Sequence, residues 1–167
     1  EISGCENSGS ITVNNVVPSS TTMIAGITNI AHISVSDCTN NGAITLGDKD
    51  ATELAVFKGI YVAGIANAHY TDKISGRVTG CTNSASADIS VYNIDCGSAT
   101  YISGVSTIAY RSANDSAEKK WENNHNHGDI TTDGLYSSSN AYVAGLVGTI
   151  SHNGSSEDNV TEWYNCT

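Results

Sequence analysis

Cys38-Thr39-Asn40-Asn41-Gly42-Ala43-Ile44 is one of four copies of the pattern that decides the fold. The first copy reads Cys5-Glu6-Asn7-Ser8-Gly9-Ser10-Ile11. The third starts Cys81-Thr82-Asn83 and reaches Ile89 after a two-residue insertion, with Ala85 where Gly is expected. The fourth is Asn124-His125-Asn126-His127-Gly128-Asp129-Ile130, with Asn in place of Cys, and a fifth begins at Cys166.

A second motif falls between these anchors. It reads Met23-Ile24-Ala25-Gly26-Ile27, Tyr61-Val62-Ala63-Gly64-Ile65, Tyr101-Ile102-Ser103-Gly104-Val105 and Tyr142-Val143-Ala144-Gly145-Leu146. An apolar marker also sits three residues before each anchor, at Ile2, Val35, Val78, Trp121 and Trp163. Two motifs and a marker recurring in fixed order make the chain a tandem repeat. The copies run approximately 5–37, 38–80, 81–123 and 124–165.

Each marker reads as a short strand. In the anchor, Cys, Asn, Gly and Ile share one parity and the positions between them are mostly polar, which is the period of a half-buried strand. The Tyr-Val-Ala-Gly-Ile segment is more continuously apolar, as for a strand packed on both sides or beside a neighbouring repeat. Its Gly allows a bulge or a close backbone approach. Helix signals are weak, and the best is Ala51-Thr52-Glu53-Leu54-Ala55-Val56-Phe57-Lys58, one or two turns in a variable insert.

Two or three short strands cannot bury an apolar face alone, whereas stacked copies can. The expected fold is therefore all-β: a β-solenoid of about four stacked ~40-residue repeats, each strand pairing with its counterpart ~4.8 Å away. Stacking predicts an inward Cys ladder (Cys5, Cys38, Cys81, Cys166), an Asn ladder (Asn7, Asn40, Asn83, Asn126), an Ile ladder, and a Gly ladder (Gly26, Gly64, Gly104, Gly145). Two readings of the Asn positions stand side by side: amides bonded to one another and to turn backbones, or residues in left-handed turns.

The gap from the second motif's Gly to the next marker grows from Gly26–Val35 to Gly145–Trp163. Inserts thus leave the solenoid at defined corners, where binding surfaces usually sit. The chain opens Ile2-Ser3-Gly4-Cys5 and finishes Trp163-Tyr164-Asn165-Cys166-Thr167, in the same phase of the repeat. Neither end reads as a polar cap, which predicts a piece of a longer array or an end-to-end stack.

Composition agrees. Charged residues are 14% of the chain, against about 25% in ordinary soluble domains, and Ser, Thr and Asn take their place, as is common in secreted and surface proteins. The net charge of −10 and the lack of any Lys/Arg cluster beyond Lys119-Lys120 argue against nucleic acid as a partner. No apolar run approaches the ~20 residues of a membrane span.

Tyr142-Val143-Ala144-Gly145-Leu146-Val147-Gly148 followed by Trp163-Tyr164-Asn165-Cys166-Thr167 resembles the GLUG-type repeat of bacterial surface proteins, which has a Gly-Leu-x-Gly strand and then a segment ending in Asn-Cys. Gly26-Ile27-Thr28-Asn29, Gly64-Ile65-Ala66-Asn67 and Gly104-Val105-Ser106-Thr107 lack the second Gly of that pattern. The resemblance implies a large extracellular bacterial protein, an adhesin or the repeat region of a surface protease. It carries over no catalytic residue.

Chemistry-bearing residues are few. Cys96 lies outside the repeat positions. Ladder cysteines would sit near disulfide distance but point the same way, and Asn124 replaces one of them, which favours buried free thiols. His125, His127 and Asp129 alternate on what reads as the outward face and are the best metal constellation, yet the other copies place Glu6, Ser8, Thr39 and Asn41 there, a solvated side. Asp48, Asp50 and Glu53 could bind calcium weakly but lack the ligand order of a known calcium loop, and an ordinary solvated loop is expected. His32, Tyr110 and His152 close a recurring triplet and interchange as packing residues do. Sequons stand at Asn114, Asn153, Asn159 and Asn165, and Asp115-Ser116-Ala117 resembles a short O-glycosylation signal at Ser116. No nucleophile elbow, phosphate loop or zinc-helix motif occurs.

The expectation is a non-enzymatic extracellular module without cofactor or resident metal, a stiff rod whose corner loops bind. Its partners would be neighbouring repeats of the same or an identical chain, with surface glycans or host proteins at the corners. The alternatives are a filament or sheath subunit that stacks end to end, and a carbohydrate-active β-helix fragment.

Overall fold

The computed structural model describes residues 1–14, 16–29, 34–67, 78–112, 120–153, 162–164 and 166–167. All regular structure among them is β, and every strand pairing is parallel. No described helix is long and apolar enough to cross a membrane.

The anchors build two rows of strands. Glu6–Asn7, Thr39–Asn40, Thr82–Asn83 and His125–Asn126 form one sheet. Ile11–Val13, Ile44–Leu46, Ile89–Cys96 and Ile130–Ser137 form the next. The anchor is thus not one strand. It bends at the Gly between Asn and Ile, and burial still follows the expected parity: Cys38, Asn40, Gly42 and Ile44 are buried while Thr39, Asn41 and Ala43 are half-exposed.

The second motif forms a sheet of Thr22–Ala25, Ile60–Ala63, Thr100–Ser103 and Ala141–Ala144. The apolar marker forms Ile2–Ser3, Val35–Ser36 and Val78–Thr79. Lys120–Glu122 continues this row by pairing with Glu162–Tyr164, and the Gly80 N–H donates to the Glu122 carbonyl at 2.8 Å. A fifth row pairs Ser106–Ser112 with Val147–Asn153.

Register is copy on copy. Asn7 faces Asn40, Ile11 faces Ile44, Tyr101 faces Tyr142 and Trp121 faces Trp163. The side chains of Asn7 and Asn40, Ile11 and Ile44, and Tyr101 and Tyr142 therefore stack along the axis, and one coil covers the next. Coils two and three are sealed: Ile44, Ile60, Val62, Ile89, Val91 and Ile102 have no exposed surface.

The interior is two apolar columns. One holds Ile24, Ile44, Leu46, Phe57, Ile60, Val62, Ile89, Val91, Ile94, Cys96 and Ile102. The other holds Val35, Cys38, Ile65, Ala66, Val78, Cys81, Val105 and Trp121. Along the chain, the ladder Asn falls between the two columns on one wall and the ladder Gly falls between them on the other, so these residues form the seam that divides the core.

The helical expectation for residues 51–58 is overturned. Residues 52–53 bend, and Ala55–Phe57 is a strand paired with 94–96 of the next coil. Val56 and Phe57 are β-branched and aromatic, and the backbone partner supplied by the stack outweighs a weak local preference.

Candidate functional site

The chemistry of the molecule lies in the seam and in the inserts. In the seam, the Asn7 Nδ2 donates to Asn40 Oδ1 at 2.7 Å, Asn40 Nδ2 to Asn83 Oδ1 at 2.8 Å, and Asn83 Nδ2 to Asn126 Oδ1 at 2.8 Å. Each Nδ2 also donates within its own turn, to the carbonyls of Gly9, Gly42, Ala87 and Gly128 at 2.9, 3.0, 2.9 and 3.0 Å. The N–H groups of Gly9 and Gly42 return bonds to Asn7 and Asn40 Oδ1. Amides with every group engaged can be buried without penalty, and Asn40 and Asn83 are completely buried.

Of the two readings, the hydrogen-bonded ladder is the one observed. None of the ladder Asn has a left-handed φ, which recurs instead once per copy at Gly4, Asp37, Gly80 and Asn123, at φ 61, 51, 64 and 54°. These four stand two residues after the apolar marker in each copy and turn the chain into the anchor. The sequence carried the signal, since Gly, Asp and Asn are the residues that tolerate αL.

Three of the four ladder glycines, Gly26, Gly64 and Gly104, are required by space. A Cβ on Gly26 would overlap the Gly64 carbonyl and reach within 2.5 Å of Asn40 Cγ. A Cβ on Gly64 would overlap the Gly104 carbonyl and lie 2.6 Å from Asn83 Cγ, and one on Gly104 would strike Asn126 and the Gly145 carbonyl. Close backbone approach, rather than a bulge, is the role of these glycines.

The five cysteines are free thiols. Cys38 and Cys81 are buried and their Sγ–H groups donate to the carbonyls of Ser36 at 3.1 Å and Thr79 at 3.3 Å. Burial pushes the Cys38 thiol up and the Cys81 thiol up to about 12, so neither is a nucleophile at neutral pH. Cys5, the outermost rung, is exposed, and Cys166 is half-buried with its Sγ–H donating to Trp121 O at 3.4 Å. Cys96, outside the repeat, points into the core beside Phe57. Asn124, in the fourth Cys position, accepts from the Cys81 N–H at 3.1 Å and donates to Val78 O at 2.7 Å.

His125 and His127 do share a face. Their rings are parallel, 4° apart in tilt with centroids at 5.8 Å, and His125 Nδ1 is in hydrogen-bond contact with Thr167 Oγ1 at 2.6 Å. The Asp129 N–H donates to Asp88 Oδ1 at 2.9 Å, which ties that corner to the coil below. Among the described residues, no group of three or more His, Cys, Asp or Glu is arranged to hold a metal. In the acidic insert, Asp48 Oδ1 accepts from the Asp50 N–H at 3.0 Å, and Asn93 Nδ2 binds the carbonyls of Asp48, Lys49 and Ala51 at 2.9, 3.2 and 3.3 Å. Asn93 is itself left-handed, at φ 51°, and its role in pinning the insert was not foreseen.

Tyr61, Tyr101 and Tyr142 stack at centroid separations of 4.7 and 4.9 Å. Desolvation by burial, with the charge of neighbouring Tyr101 second, holds the Tyr61 phenol above its usual range. Asn114, Ser116, Asn159, Asn165 and His32 lie outside the described residues, and of Tyr110, His152 and Asn153 only the backbone strand is described.

The fold and its seam define a parallel β-solenoid of about four repeats. Comparison with family models, curated proteins and solved structures found no match.

Proposed function

We propose that the chain is an extracellular structural and adhesive module, a stiff rod that carries binding surface on its corner inserts. The observation that supports this reading is the unbroken coil-to-coil ladder of Asn amides from Asn7 to Asn126, which locks consecutive repeats in one register. The low charge content and the GLUG-like fourth copy, Gly145-Leu146-Val147-Gly148, favour a bacterial surface protein. Its partners would be surface glycans or host proteins. A glycan array and a panel of extracellular proteins, run beside a reducing-sugar assay, test the reading. Binding without cleavage supports it; released reducing sugar makes the chain an enzyme and sinks it.

One observation favours the filament reading as a second possibility. Val143 continues the column of Ile24, Val62 and Ile102, which are at most 6% exposed, yet it is 47% exposed. Another coil, of a second copy or of the same chain, would cover it. Sedimentation over a range of concentrations separates the readings, because stacking gives mass that grows with concentration and a free rod does not.

A further inference from the structure

Ala55–Phe57 is paired on one side only, with residues 94–96 of the third coil. The first coil has strands at Ile11–Val13 and Thr22–Ala25 and, among its described residues, none between them. Phe57 O accepts from the Gly97 N–H at 2.8 Å, so the Phe57 carbonyl faces the third coil. Backbone groups alternate sides along a strand, which turns the Val56 N–H and C=O toward the first coil, where no strand among the described residues meets them.

In front of this open edge lies a groove of about 520 Å³ whose walls include Val16, Val17, Leu54 and Val56. These four are exposed by 39, 88, 41 and 57%, four of the six large apolar side chains exposed among the described residues. Asp48 and Glu53 also line the groove, and among the described residues no Lys or Arg does. Asp95, exposed, sits beside Val56 on the next coil.

We propose that this groove takes an extended peptide segment of a partner protein by strand addition: its backbone pairs with Val56, an apolar side chain packs on Val16, Val17 and Leu54, and a neighbouring Lys or Arg faces Asp48 and Glu53. Main-chain pairing supplies affinity and side-chain pockets supply selectivity in this mode. An open edge flanked by apolar surface is a template that proteins normally blunt, and here the insert pinned by Asn93 holds it open. The proposal goes beyond the rod reading and does not rest on it.

The test uses the whole chain, labelled for NMR, with a short blocked peptide of alternating Val and Lys as probe. Binding with a Kd below about 1 mM, shifts at Val16, Leu54 and Val56, and slowing of Val56 amide exchange by about tenfold or more are expected. The same peptide with Glu for Lys should bind at least about tenfold more weakly at low salt. N-methylation of alternate peptide amides should abolish binding, as should Val56→Pro, which removes the edge N–H without touching the bonds to the third coil. Equal binding of the N-methylated peptide would overturn strand addition, and it needs no variant to fold. Binding that the Glu peptide matches would overturn the cationic partner. Protection of Val56 by self-association without peptide would make the occupant a second copy and overturn the proposal.

Discussion

The Asn83 amide fills the space that a Cβ on Gly64 would need, against Oδ1 and 2.6 Å from Cγ. The same pairing joins Gly26 to Asn40 and Gly104 to Asn126. Two motifs far apart in the sequence recur together because they are the two sides of one seam.

Gly64→Ala therefore places a Cβ against the Gly104 carbonyl and the Asn83 amide, neither of which can swing away. We expect a loss of about 3 kcal/mol, at the upper end for overpacking. At Gly145, where the nearest atom to an added Cβ is Asn126 Nδ2 at 4.0 Å, Ala should change stability by no more than about 0.5 kcal/mol. Urea unfolding of the two variants checks the contrast. Equal effects would mean that the glycines serve backbone conformation and not contact.

Asn83→Asp keeps shape but cannot donate to Ala87 O or to Asn126 Oδ1. It also buries a carboxylate, so a cost of about 3 kcal/mol at neutral pH is expected. Burial raises the native-state pKa of the introduced carboxyl above its unfolded value. The deficit is then smallest at low pH, where the neutral group can donate, and grows as pH rises through the native pKa. Unfolding midpoints at several pH values, referred to Asn83→Ala, report this slope; a flat difference would count against the ladder.

The left-handed corner predicts a different ranking. Asp37→Gly should be neutral or mildly stabilising at φ 51°. Asp37→Val should cost about 1–2 kcal/mol, because a β-branched side chain is strained there. Thermal unfolding of the pair decides; a tolerated Val would show that the corner relaxes.

The thiols give a pH dependence with a definite sign. Cys81 rises from an ordinary 9.0 to about 12, so the unfolded chain loses this proton before the native one does. Stability from this group is complete below about pH 9 and falls as pH climbs toward 12. Cys38 shifts in the same direction. Alkylation of the native protein should label Cys5 and spare Cys38, Cys81 and Cys96 until denaturant is added; prompt labelling of Cys81 would contradict its burial.

Much of this was legible because repetition converts sequence into register. Once Asn7, Asn40, Asn83 and Asn126 are aligned, parallel stacking follows, and so do the Ile, Cys and Gly ladders. What was hidden involves contact between different motifs. Nothing local says that Gly64 meets Asn83, because that depends on how far round the coil each wall turns. The left-handed row at Gly4, Asp37, Gly80 and Asn123 was visible as a residue class but was masked by its variation. The strand at Ala55–Phe57 and its open edge could not be read, since its partner lies in the third coil and its missing neighbour in the first.

Consecutive coils are joined by side-chain hydrogen bonds between in-register Asn residues. Through-bond NMR couplings from Asn40 Nδ2 to the Asn83 carboxamide, and from Asn83 Nδ2 to that of Asn126, test it most directly. Both couplings are expected, with Asn40 and Asn83 side-chain amide protons protected from solvent exchange to nearly the limit of global unfolding. Rapidly exchanging amides with no coupling between them would show that the coils do not stack in this register.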